Sequence, residues 1–266
     1  MITDEHPIIT VLGPTATGKT HIAVRLAAEL GGEIVSADSR QIYRRMDIGT
    51  GKDISEYRYN GQEIPYHLID IEEPGVKYNV FRYQQEAFKA MRDIQSRGRQ
   101  IVLCGGSGLY IEAVIQGYRF SFQDDGQILS DPVPSVLIGL RGERDLIRAR
   151  ITSRLKARLE EGMVDEIRGL LDSGVPSEIL LRYGLEYKFV TLYLLGEIDY
   201  EEMFEKLNVA IHQFSKRQMT WFRRMERLGM DIHWIDVALP EDDKMEAIYH
   251  IIKDCGGTSL PQTADH

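Results

Sequence analysis

The chain has 266 residues, 43% hydrophobic and 27% charged, a mixture that can bury a core and that excludes disorder along its whole length. Its net charge of −9 excludes a protein that is basic overall, and two cysteines, Cys104 and Cys255, exclude a disulfide framework or a zinc knuckle. No apolar run reaches the roughly 20 residues needed to span a bilayer, and Met1 to His6 lacks the basic and apolar regions of a signal peptide, so a cytoplasmic protein is expected.

Residues 7–12 form an apolar, β-branched run that reads as a buried strand ending in a glycine loop, and residues 21–30 carry apolar side chains at helical spacing. Residues 33–38 read as a second strand, ending on the carboxylate of Asp38. A long helix is expected over 78–97, with Phe81, Ala87, Phe88 and Met91 toward the core. A strand over 100–104 breaks at Gly105-Gly106, and helix resumes over 108–115. Residues 121–135, polar and rich in Asp, Gly and Pro, read as a surface connection to a core strand at 135–140. From Arg144 the pattern is helical through Glu160, again over 164–171 and over 200–228, with a last strand at 232–236 and a frayed polar end at 255–266.

This order predicts a P-loop NTPase-like α/β core over 1–140, a mainly helical part over 141–255 that packs back on it, and a disordered tail over 256–266. Strands alternating with helices favour a mostly parallel sheet flanked by helices. The loops at 13–20, 38–41 and 105–108 all fall at carboxyl ends of strands, where such sheets bind ligands.

Gly13-Pro14-Thr15-Ala16-Thr17-Gly18-Lys19-Thr20 fits the P-loop pattern between a strand and a helix. Its glycines let successive N–H groups turn inward toward a phosphate, and the helix start adds the positive end of its dipole. Lys19 supplies a charge to phosphate oxygens, and the Thr20 hydroxyl is placed to hold Mg²⁺. The loop is specific for phosphate and silent on the reaction: phosphoryl transfer and departure of a whole pyrophosphate both develop charge on phosphate oxygens. Asp38 suits assistance to Mg²⁺ or acceptance of a proton, and equally the capping of a following helix. On this logic alone a small-metabolite kinase fits as well.

Two basic stretches stand out in the acidic chain. Residues 141–158 carry seven Lys or Arg against two acids, and residues 212–227 carry five against one. They make a footprint for a polyanion, or the solvated faces of helices.

In order along the chain, GPTATGKT, SADSRQIYRRMDIGTGK, YHLIDIEEP, GGSGLYI, RLEEGMVDEIRGLL and KRQMTWFRR resemble the tRNA dimethylallyltransferases, also called tRNA isopentenyltransferases. These segments lie between residues 8 and 235, and the stretch from Asp38 to Lys52 is the most specific. The resemblance implies transfer of a dimethylallyl group from dimethylallyl pyrophosphate to the exocyclic amine of an adenosine next to the anticodon of tRNA, with Mg²⁺ as cofactor. It implies Asp38 as the base for the amine proton, and Ser39, Arg40 and Gln41 as contacts to the flipped-out base and its neighbours. Ser107, where the family has Thr, would bond the leaving oxygen or a phosphate and border the RNA. Lys188 would hold the pyrophosphate, and Lys216, Arg217 and Gln218 would contact RNA. Trp221 and Phe222 are expected in the core, and His67 and Asp70 outside the catalytic set. A monomer without membrane attachment is expected.

Two departures bear on the acceptor. Family members carry a helical insertion between the GGSGLY segment and the later helices, and here Tyr118 leads by a short connection to Ser135. Glu186 stands where the family has Gly. Relatives that prenylate free adenine nucleotides are compact in the same way. Three readings therefore stay open on sequence alone: a tRNA prenyltransferase, a free-nucleotide prenyltransferase, and a P-loop kinase or nucleotide-binding module.

Overall fold

The structure is a computed structural model, and it describes residues 6–119, 128–129 and 132–256. The expected tail beyond residue 256 and most of the 121–135 connection lie outside these residues. In chain order the strands are β1 (Ile8–Leu12), β2 (Glu33–Ser36), β3 (Arg58–Tyr59), β4 (Gln62–Glu63), β5 (Tyr66–His67), β6 (Ile101–Gly105), β7 (Tyr118–Arg119), β8 (Ile128–Leu129), β9 (Ser135–Arg141) and β10 (Ile232–Asp236). The α-helices are α1 (Lys19–Glu29), α2 (Val80–Ser96), α3 (Gly108–Ile115), α4 (Arg144–Glu160), α5 (Met163–Asp172), α6 (Ser177–Leu180), α7 (Leu185–Leu194), α8 (Tyr200–Arg227) and α9 (Glu241–Asp254).

A six-stranded sheet has the order β10-β9-β1-β6-β2-β5 with every pairing parallel. β1 is buried at all five positions, as is β6, because parallel strands covered on both faces need continuous apolar runs. Right-handed crossovers decide which face each helix covers. The chain moves from β1 past β6 to β2, then to the edge strand β5, and back from β5 past β2 to β6, so α1 and α2 fall on opposite faces. α9 joins α1, tied by Arg25 to Glu241 at 2.8 Å. α3 stays with α2, through Tyr83 stacked on Tyr110 at 4.0 Å and the Gln84 amide donating to Ala113 O at 2.6 Å. This is the P-loop NTPase-like fold.

The expected strands and long helices are present with ends shifted by one or two residues. One shift matters for the site. β2 ends at Ser36, so Asp38 lies two residues beyond the strand. It caps no helix; its Oδ1 accepts the N–H of Arg40 at 2.9 Å within the turn. The edge strand β5, the β3–β4 hairpin and helices α6, α7 and α9 were not expected from the sequence pattern. The two-residue strands β3, β4 and β5 are too short for period-2 alternation to register.

Candidate active site

The phosphate loop closes on itself. Gly13 has φ 153°, and a Cβ there would stand 2.6 Å from the carbonyl oxygen of Leu140, so only glycine fits. The Thr17 hydroxyl and the Lys19 ammonium both donate to Pro14 O at 2.8 Å. Lys19 and Thr20 open α1, which aims the free N–H groups of the helix start at the cavity in front of the loop.

That cavity has a volume of about 350 Å³, and Thr15, Lys19, Thr20, Asp38, Ser107 and Arg217 line it. It therefore joins three loops from the ends of β1, β2 and β6. The second and third are laced together: Ser107 Oγ accepts the Ser39 N–H at 3.0 Å, and the Ser107 N–H donates to Ala37 O at 3.1 Å. Ser107 is the N-cap residue of α3, so its hydroxyl is held at a fixed point on the cavity wall.

The Asp38–Lys52 stretch owes much of its specificity to folding. Gln41 is buried; its Oε1 accepts the Ser36 hydroxyl at 3.1 Å and its Nε2 donates to Gly51 O at 3.0 Å. Lys52, 1% exposed, donates to Tyr43 O and to Asp47 at 2.6 Å each and also pairs with Asp70. Glu166, from α5, accepts the N–H groups of Asp47, Ile48 and Gly49 at 2.8, 2.7 and 3.1 Å and the Tyr187 hydroxyl at 2.7 Å. A carboxylate holding successive amides fixes a loop that would otherwise leave them unpaired. His67 pairs with Glu33 at 2.8 Å, away from the cavity.

Electrostatically the cavity is a cluster of cations facing one carboxylate turn. Burial lowers the Lys19 ammonium to about 8; the Arg154 charge adds to the drop, while Asp38 opposes it. Arg154 and Arg158 come from one stripe of α4 and both reach Asp53 Oδ2, at 2.5 and 3.4 Å. Burial, then the neighbouring Arg154, depresses the Arg158 guanidinium. Burial raises the Glu186 carboxyl, against the pull of Arg158, Arg40 and Arg154. The buried Cys104 thiol is pushed up to about 12 and is no thiolate at neutral pH.

The cavity brings together most of the residues the sequence singles out and leaves some aside. Lys19, Thr20, Asp38, Ser39, Arg40, Gln41, Ser107, Arg217 and Gln218 line it. Lys188 does not. It is exposed on α7 with its ammonium 5.5 Å from the Phe189 ring, whereas Arg154 and Arg158 line the cavity. Lys216, one residue before Arg217, points into a neighbouring cavity of about 790 Å³, where Arg141, Arg144, Arg148 and Arg223 also lie. The basic stretches are thus divided between two cavities. Phe222 is fully buried, as expected, whereas Trp221 is half-buried and walls the reaction cavity. Its indole N–H donates at 2.8 Å to Glu112, a buried carboxylate that also pairs with Arg224 at 2.7 Å. Sequence reasoning did not single out Arg154 and Arg158 in the cavity or Glu166 behind the Asp47–Gly49 loop, and it placed Trp221 in the core rather than on the cavity wall. The i, i+4 pair Arg154 and Arg158 within the basic stretch was the available signal.

A phosphate loop, a carboxylate turn and a hydroxyl around one cation-lined cavity define a phosphate-binding site of the P-loop NTPase-like class. The IPP transferase family model matches residues 41–131 and 119–225. The tRNA dimethylallyltransferase 1 of Parabacteroides distasonis is 46% identical over 93% of this chain and 98% of its own length. That of Porphyromonas gingivalis is 48% identical over 91% and 97%. Among solved structures, the tRNA isopentenylpyrophosphate transferase of Bacillus halodurans superposes with a TM-score of 0.82 at 30% identity, covering 94% of this chain and 96% of that one. The chain belongs to the IPP transferase family, the tRNA dimethylallyltransferases. The Parabacteroides alignment runs over 300 positions against the 266 residues here, so that relative carries residues this chain lacks. The two segments of the family match overlap at 119–131, within the short connection between Tyr118 and Ser135.

Proposed function

We propose that the protein transfers the dimethylallyl group of dimethylallyl pyrophosphate to the exocyclic amine of an adenosine next to the anticodon in tRNA. The observation that carries this reading is one cavity holding Lys19 at the start of α1 and Asp38 beyond the end of β2. The loop amides, Lys19, Arg154 and Arg158 bind the pyrophosphate. The amine attacks the allylic carbon, the C–O bond breaks, and pyrophosphate takes the bonding pair against these cations. Asp38 accepts the amine proton, and Ser107 bonds a leaving oxygen. The adenosine leaves its stack to reach this depth, at a cost of a few kcal/mol that is least for a loop base.

The residues fit Mg²⁺ in a limited way. Among the described residues no group of three or more His, Cys, Asp or Glu is placed to hold a metal. Thr20 and Asp38 offer oxygen donors in the cavity, a set suited to an ion that the substrate phosphates largely coordinate. Bound there, Mg²⁺ neutralises charge on the pyrophosphate.

For the RNA, Arg217 and Trp221 border the cavity, and Lys216 stands beside them on α8. The names of the relatives support tRNA over a free nucleotide as acceptor. Among the described residues no helix is long and apolar enough to cross a membrane. The test is mass spectrometry of tRNA after incubation with the protein, dimethylallyl pyrophosphate and Mg²⁺, with AMP as a parallel acceptor. A prenylated anticodon-loop adenosine is the expected product; modification of AMP with untouched tRNA overturns the RNA assignment.

A further inference from the structure

Gln218 sits in the middle of α8 and is 8% exposed. Its side-chain amide touches both loops that flank the reaction cavity. Oε1 accepts the Thr15 N–H of the phosphate loop at 2.8 Å, and Nε2 donates to Gly106 O, beside Ser107, at 2.9 Å. One partner can only donate and the other can only accept, so the amide has a single orientation that serves both. β1 and β6 pair up to Leu12 and Gly105; Gln218 extends that tie beyond the sheet, across the two loops.

The helix behind it is pinned. One turn on, the Trp221 indole N–H donates to Glu112 at 2.8 Å, and Arg224 pairs with the same carboxylate at 2.7 Å. α8 is thereby fastened to α3, and a Cβ on Gly108 would clash with the Trp221 ring. Gln218 is a fixed strut between two loops. The same crowding appears at its far end, where a Cβ on Gly106 would stand 2.5 Å from Gln218 Nε2.

We propose that Gln218 is a positioning residue that sets the separation of the phosphate loop from the Ser107 loop, and hence of leaving group from acceptor, and that it makes no contact with RNA. This rests on the prenyl-transfer reading above. It stands in place of the RNA-contacting role that the resemblance implies for Gln218, since the amide is nearly buried and its orientation is fixed by the two loops it joins. Reactions between positioned partners lose about a hundredfold for a displacement near 1 Å. The chemical step, rather than RNA affinity, is where its loss registers.

The test uses three variants: Gln218→Met, which keeps the length and removes both hydrogen bonds, Gly106→Ala, which pushes on the amide from the other side, and the double variant. Single-turnover prenylation of an anticodon stem-loop, RNA affinity and thermal stability are measured for each. The role predicts that each single variant slows transfer about ten- to a hundredfold at saturating substrates, with RNA affinity close to wild type; in Gln218→Met the melting temperature falls as well, because the Thr15 N–H and the Gly106 carbonyl lose their partner. The double variant is expected to be no slower than either single one, because both act through one strut. Weakened RNA binding with wild-type transfer at saturation would restore the RNA-contact role and overturn this one. Additive losses, or lowered stability with normal transfer in the folded protein, would also overturn it. A wild type that leaves the stem-loop unmodified would overturn the prenyl-transfer reading, and with it the role.

Discussion

Replacing Asp38 with Asn separates chemistry from architecture. Asp38 Oδ1 accepts the Arg40 N–H at 2.9 Å, and that turn carries Ser39, whose N–H is held by Ser107 Oγ at 3.0 Å. Asn retains an oxygen at the same place, so the turn, the Ser107 contact and the cavity wall survive. What Asn loses is the capacity to accept a proton. Loss of one positioned acid–base group costs about 10²–10⁴-fold, or about 3–5 kcal/mol of transition-state stabilisation. Lys19, Arg154 and Arg158 are untouched, so pyrophosphate affinity is expected to stay at the wild-type level. Single-turnover transfer from labelled dimethylallyl pyrophosphate to a stem-loop gives the rate, and titration calorimetry with pyrophosphate gives the affinity. A variant that turns over at the wild-type rate would remove Asp38 from proton transfer. One that keeps its rate at saturation and loses pyrophosphate affinity would make Asp38 a metal or phosphate ligand instead.

Lys19 is protonated below about 8 in the free protein, so kcat/KM for the donor should fall as pH rises through that value. At saturating donor the bound anion holds the proton on, and kcat should persist to higher pH; a kcat/KM flat through this range would contradict the assignment. Arg158→Ala should weaken pyrophosphate binding about ten- to a hundredfold, the worth of a charge-assisted contact, while Lys188→Ala should bind like wild type. Equal losses in the two variants would return Lys188 to the site. Glu166→Ala removes the acceptor of three backbone N–H groups and the Tyr187 hydroxyl and should destabilise the fold by about 3 kcal/mol. Urea unfolding with an unchanged midpoint would show that the Asp47–Lys52 loop stands without it.

The sequence alone determined the phosphate loop, because every residue of that device is contiguous and its geometry is local: glycines at positive φ, a lysine and a threonine at a helix start. It determined the parallel sheet as well, since strands buried on both faces must be written as apolar runs. It also marked Asp38 and Ser107, which follow strands and are carried to the sheet edge by topology. Only the tertiary structure decided which cations line the cavity in front of the phosphate loop. Arg154 and Lys188 both lie on helices in the second half of the chain, and periodicity does not say which stripe of a helix turns inward when both faces carry charge. It also decided that Gln218 is a strut, since its partner Thr15 lies 203 residues away, and that the Asp47–Gly49 amides close on Glu166, 117 to 119 residues on. Contacts across such separations leave no periodic trace in the chain, because they depend on where whole helices pack rather than on what stands nearby in sequence.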